Sequence, residues 1–179
     1  MSIVTALDKW FATISADPGR LMIAHDPAWP SPCEQSSPSA PSGQISWRPF
    51  RRQDAQHDFA GLENALGLQI HPDIKAYYGT YWSANVPATA ADGDLELLFL
   101  WNEADRDRLI ENLIGHAVAC RYNRTPYAVF FACTEPEDYY LTVNNTSGEV
   151  QLEEPGKPPL RTIAPDLATF LGTLTPRTS

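Results

Sequence analysis

Residues 95–116 read LELLFLWNEADRDRLIENLIGH, and the reading of this stretch decides the fold. Its first part, 95–101, is apolar and bounded by Asp92-Gly93-Asp94 on one side and Asn102 on the other, which predicts a strand. Alternation puts Leu95, Leu97, Phe99 and Trp101 on one face and Glu96, Leu98 and Leu100 on the other. Both faces are largely apolar, so the strand belongs inside a sheet rather than at its edge. Asn102 then offers a side-chain oxygen as a helix cap, with Glu103, Asp105 and Asp107 in the first turns, where the helix dipole favours negative charge. Leu109, Ile110, Leu113, Ala117 and Cys120 recur at three- and four-residue steps and give that helix one apolar stripe.

Working outward, Ile3, Leu7, Trp10, Phe11 and Ile14 share a face of a first amphipathic helix over 3–14, stopped by Asp17-Pro18-Gly19. Residues 26–43 are rich in proline and serine without periodicity and read as an irregular excursion, flexible over 36–43. Residues 44–50 fit a short strand that Pro49 confines to an edge or to the end of a ladder. Asp58 is placed to cap a helix over 59–66 that Gly67 ends, and Pro72 starts another, lined by Ile74, Tyr77, Tyr78 and Tyr81. Residues 86–93 read as a loop. Beyond the central unit, strands are expected over 127–133 and 139–144, and Asn145-Thr146-Ser147-Gly148 turns into a third over 149–152. A last helix starts near Pro165, with Leu167, Phe170, Leu171 and Leu174 on its apolar side. Helices around a mainly antiparallel sheet make the expected fold class α+β, in one domain spanning 1–179.

Charge is the most informative functional feature. Residues 92–154 hold 13 acidic and four basic residues, while the rest of the chain holds nine of each, so this segment carries the whole formal charge of −9. A pI near 4.8 argues against nucleic acid or an anionic lipid leaflet as partner and favours basic ones. No apolar run reaches the length of a membrane span, and the N-terminus lacks a signal-peptide layout. Three cysteines without paired spacing point to a reducing, cytoplasmic setting.

Catalytic chemistry finds little support. The four histidines and three cysteines make no zinc spacing, and Glu111 and His116 are five residues apart and so rotated away from each other on their helix. His116 is expected to bond a backbone group beside the sheet. No phosphate loop or nucleophile elbow is present, and no cofactor is expected. The Tyr77, Tyr78, Tyr81 and Trp82 group is spaced for helix packing rather than for a binding platform. An acidic run is most simply a solvated face. Two features here go further: the acids lie on consecutive elements, and residues 125–156 contain six acids and no base. The candidate acidic surface is Asp92, Asp94, Glu96, Glu103, Asp105, Asp107 and Glu111, with Glu96 alternatively on the sheet's far face.

Ser31-Pro32-Cys33, Trp47-Arg48-Pro49, Gly93-Asp94-Leu95, Trp101, Glu111-Asn112-Leu113-Ile114-Gly115-His116 and Asn145-Thr146-Ser147-Gly148-Glu149-Val150 occur in an order that resembles the Syd family. Residues 63–81 also resemble the helix–turn–helix of the wider SUKH superfamily, although Ile70-His71-Pro72 replaces its usual Leu-Pro and no Asn-Gly-Gly follows. The resemblance implies a SUKH-like fold. It also implies a non-enzymatic protein that binds the basic cytosolic loops of the SecY channel (or SecYEG translocase) through an acidic concave surface, peripherally on the cytoplasmic side of the bacterial inner membrane. Its superfamily equally implies an alternative, an immunity protein neutralising a basic toxin such as a nuclease.

Overall fold

The computed structural model describes residues 1–17, 21–35, 43–53, 55, 58–135 and 138–177. The proposed stop at Pro18-Gly19, the histidine at 57 and the excursion over 36–42 lie outside these residues. Five helices and eleven strands run α1 (Ile3–Ser15), β1 (Met22–Ala24), β2 (Gln44–Ser46), β3 (Phe50–Arg51), α2 (Ala60–Leu66), α3 (Pro72–Thr80), β4 (Tyr81–Trp82), β5 (Val86–Ala90), β6 (Gly93–Leu97), α4 (Glu103–Asn123), β7 (Ala128–Glu135), β8 (Tyr140–Asn144), β9 (Val150–Glu153), β10 (Arg161–Ala164), α5 (Leu167–Leu171) and β11 (Thr175–Pro176), among the described residues. Seven strands form one antiparallel sheet in the order β10-β9-β8-β7-β6-β5-β11, and β1–β2 and β3–β4 form two small ribbons. The class is α+β.

The central strand lies where its pattern requires, between β5 and β7. Pairing across the sheet aligns Leu97 with Ala132, Leu141 and Leu152 in a row on the core face. The opposite row is Glu96, Cys133, Tyr140 and Glu153. Glu153 is buried there and accepts a hydrogen bond from Thr142 (2.7 Å), and burial, with Glu153 adding to it, pushes the Tyr140 hydroxyl up to about 12. Regular pairing is shorter than the pattern suggested. It ends at Leu97, after which the Leu98 amide donates to the Phe131 carbonyl at the bulge (2.9 Å) and Leu100 bridges in parallel to Trp82. Residues 86–93 are not a loop: they form β5 and a tight turn into β6, with Ala90 opposite Gly93. Pro87 hid this strand, since proline in an inner strand is normally a contrary signal. Neither β10 nor β11 was expected: both are short, β10 lies between Pro159 and Pro165, and β11 itself contains Pro176.

The first helix buries Ile3, Ala6, Leu7, Trp10, Phe11 and Ile14 and is capped by the Ser2 hydroxyl, which accepts from the Thr5 amide (3.2 Å). Each such large side chain contributes about 1.5–3 kcal/mol on burial. In α3, Tyr77 and Tyr78 are fully enclosed, and their hydroxyls donate to the Phe131 and Phe130 carbonyls of β7 (3.4 and 2.7 Å). Two buried polar groups thereby find partners, and the helix is pinned to the sheet at its bulge. Tyr81 has left this helix for β4, and residues 44–50 divide between β2 and β3 around Pro49. Leu174 lies past the end of α5. The turn at 145–148 docks on the start of α3: the His71 amide donates to Asn145 Oδ1 (2.9 Å), and the imidazole occupies the space beside Gly148 (φ +79°).

Asp58 does not cap α2, whose cap position is Phe59 and carries no side-chain bond. A stronger partner takes it. Its carboxylate lies 2.7 Å from the fully buried Arg52 guanidinium, which stacks 3.8 Å from the Trp82 ring centroid, and 3.7 Å from Arg106. His116 also differs from expectation. Its Nε2 meets the Cys120 thiol (3.5 Å) one turn on, and its ring tilts against Tyr127.

Asp58→Ala removes the carboxylate from a buried cation, so chemical denaturation should show a loss of about 3–5 kcal/mol. Asp166 caps α5 by accepting from the Thr169 amide (2.7 Å), and that bond, with the Thr169 hydroxyl, holds its carboxyl below the usual range. A depressed carboxyl stabilises above its unfolded pKa and loses that contribution as pH falls through its folded value. Asp166→Ala should therefore cost about 1 kcal/mol at neutral pH and progressively less below the ordinary carboxylate range, measured by denaturation across pH.

Candidate functional site

The junction between β6 and α4 builds the wall of a cleft. Asn102 Oδ1 accepts from the Asp105 amide (3.0 Å) while Asp105 Oδ2 accepts from the Trp101 amide (3.1 Å), a reciprocal cap that locks the helix start. Trp101 and Asn102 also reach out to the chain at 26–35. The Trp101 indole donates to the Trp29 carbonyl (3.0 Å), Asn102 Nδ2 donates to the Pro30 carbonyl (2.9 Å), and the Ser31 hydroxyl donates to the Trp101 carbonyl (2.5 Å). Ser31 also accepts from the Cys33 amide (3.1 Å), and Cys33 is fully buried, which pushes its thiol up to about 11. So the first part of the proline-rich excursion is a tethered arm. Proline removes amide donors that this path would leave unsatisfied.

Between that arm, β1 and the strand segment around 83–87 opens a cleft of about 500 Å³. Four carboxylates line it, Asp26, Glu34, Glu96 and Asp105, together with the indoles of Trp29, Trp47 and Trp101. Among the described residues, Arg177 is the one cationic side chain in the lining. Its guanidinium is already engaged, with Nη2 bonded to Glu135 and Nη1 3.6 Å from Asp94. Glu96 is held by Asn85, whose Nδ2 donates to Oε2 (3.3 Å) while its Oδ1 accepts from the Phe99 amide (3.0 Å). Trp47 and Trp101 meet edge to face at 6.2 Å, and Arg108 lies 4.0 Å from the Trp29 ring centroid. Carboxylates against apolar indole walls focus a negative potential into the cleft. This suits a lysine or arginine side chain, its charge toward the carboxylates and its methylenes or face on the rings.

The seven acids proposed from the sequence separate into several places. Glu96 and Asp105 meet in this cleft. Asp92 and Asp94 flank a different, mostly apolar depression of about 510 Å³, where Asp92 pairs with Arg161 (2.8 Å) and Asp94 accepts from Thr89 (2.6 Å). Asp107 and Glu111 border a third, beside Asp58 and Arg106, with Asp107 3.0 Å from Arg106. Glu103 is exposed on the first turn of α4 and lines none of the three. Sequence reasoning missed Asp26, Glu34, Trp29, Trp47 and Asn85. The acids among them lie outside the charge-rich segment, and the available signal was the pair of short motifs Ser31-Pro32-Cys33 and Trp47-Arg48-Pro49. Among the described residues, no three His, Cys, Asp or Glu side chains converge as a metal site, and no helix is long and apolar enough to cross a membrane.

A family profile described as Syd protein (SUKH-2) matches residues 2–176. The chain is 41% identical to Protein Syd of Pseudoalteromonas atlantica over 158 residues, 88% of this chain and 84% of that protein. It is 41% identical to Protein Syd of Alteromonas mediterranea over 180 residues, 98% and 97% of the two chains. Against Protein Syd of Aeromonas salmonicida the identity is 37% over 174 residues, 94% and 93% of the two.

Trp101→Ala deletes the indole bond and one wall of the cleft. Hydrogen exchange should then speed up across residues 27–35, while the central strands β7 and β8 stay protected. Unchanged exchange in the arm would show that it is held from elsewhere.

Proposed function

The chain belongs to the Syd family, and from that premise we propose that its acidic cleft docks basic cytosolic loops of the SecY translocation channel. The observation that carries this reading is the lining itself: among the described residues, four carboxylates against one guanidinium that other acids already hold, with three indoles behind them and Arg108 approaching only Asp105 (3.9 Å) from outside the lining. Cytoplasmic loops of membrane proteins carry excess lysine and arginine, the side chains such a lining would take. Anionic lipid is repelled by a chain of formal charge −9, so contact with the membrane's cytoplasmic side runs through the protein partner. Attraction is steered over a screening length of about 10 Å at 0.1 M salt and weakens above it. The protein acts by occupancy and not by turnover, and docking at the channel's basic face would let it monitor or regulate translocase assembly.

The test is sedimentation of purified protein with membranes that do or do not contain overproduced SecY complex, at low and high salt. Retention should need the channel and fall with salt. Glu34→Lys with Glu96→Lys should weaken it roughly tenfold or more, about 1.4 kcal/mol, whereas Asp92→Lys, outside the cleft, should retain binding. Equal losses from both variants would reduce the effect to overall charge. Full binding by the double variant would rule out the cleft.

A further inference from the structure

The helix α4 has two working sides, and only one faces the cleft. Asp105 lines the cleft, and Leu109, Leu113, Ala117 and Cys120 pack inward. On the side away from Asp105, at four-residue steps, lie Ile114, Val118 and Tyr122, exposed by 36%, 59% and 88%. Single exposed apolar residues are ordinary, but three in line over two turns make a continuous stripe. Along the helix the same side changes character. Glu103, Asp107 and Glu111 precede the stripe, Arg121 sits between Val118 and Tyr122 in its last turn, and the exposed Arg124 caps the helix just past it.

We propose that this face pairs with the same face of a second copy, antiparallel across a two-fold axis near His116. That arrangement sets Ile114 of each copy against Val118 of the other, and Glu111 against Arg121. A two-fold interface must be self-complementary, and a surface ordered acidic, apolar, basic becomes so only when its copy runs the opposite way. Antiparallel helix dipoles add to the match. Other occupants fit less well. An anionic lipid surface meets the acids of the first half, and a uniformly basic partner meets the arginines of the second. Arg121 spends one donor on the Leu66 carbonyl (2.5 Å), and a guanidinium has others to offer. One crossing of two 21-residue helices buries less than the roughly 1,600 Å² of a standard interface, so the dimer is weak and reversible. Pairing leaves the cleft open, since Asp105 and the stripe lie on opposite sides of α4.

Sedimentation velocity of the full chain over a concentration series tests this directly. A rapidly exchanging monomer–dimer equilibrium is expected. Val118→Asp, at an exposed position, should abolish it without changing the unfolding midpoint. Glu111→Arg should weaken it roughly tenfold, about 1.4 kcal/mol, and adding Arg121→Glu should restore it to within a few-fold. A monomer at every concentration reached, or self-association that Val118→Asp leaves untouched, overturns the proposal. Channel binding by a strictly monomeric protein would leave the cleft reading intact.

Discussion

Much of the functional architecture depends on the reciprocal cap at Trp101 and Asn102. A helix start leaves amide donors without intrahelical partners, and here Asn102 takes the Asp105 amide while Asp105 takes the Trp101 amide just before the helix. Those bonds use only part of each residue. The Trp101 indole and carbonyl and the Asn102 amide are left to hold the arm at 26–35. The central strand, the long helix and the cleft wall are therefore oriented by one short stretch of chain, and the indole at that corner is also part of the lining.

The rest of the frame gains rigidity from polar groups placed where the core can satisfy them. The Tyr77 and Tyr78 hydroxyls end on β7 carbonyls at a bulge, and Asn145 and His71 fasten the β8–β9 turn to α3. The Arg52–Asp58 pair, stacked on Trp82, joins the β3–β4 ribbon to the start of α2. A buried ion pair adds little net stability over apolar packing, but losing one partner costs much more, so such pairs favour one arrangement over its competitors. That rigidity bears on the cleft, because a concave surface keeps its shape only if its walls do.

Net charge alone misplaces the negative potential. Asp92, Asp94, Glu135 and Asp107 lie in the acid-rich segment, yet Arg161, Arg177 and Arg106 neutralise much of their field. Arg177, near the end of the chain, draws Asp94 and Glu135 together at the margin of the cleft. Of the four acids that line the cleft among the described residues, Asp105 has Arg108 3.9 Å away and Glu34 has His25 3.9 Å away, whereas Glu96 is held by the neutral Asn85. Electrostatic function here follows from pairing and burial rather than from the count of charges.

The α+β class, the inner position of β6, the cap at Asn102 and the buried stripes of α1, α3 and α4 were legible in the residues, because each rests on local periodicity or on a single capping side chain. So were the Asn145–Gly148 turn and the short motifs that mark the family. What the sequence could not show depends on contacts far apart along the chain. Val86–Ala90 became a strand despite Pro87 because β6 and β11 supply its partners, and Asp58 left its cap because a buried arginine outbid the helix start. Of the seven acids read from the charge pattern, tertiary structure brought only Glu96 and Asp105 into the cleft, and it added Asp26 and Glu34 from an arm that has no periodicity to read. Sequence by itself determined where the charge is concentrated along the chain. Only the folded structure decided which carboxylates face the same space, because that depends on neighbours some seventy residues away, such as Trp29 and Trp101.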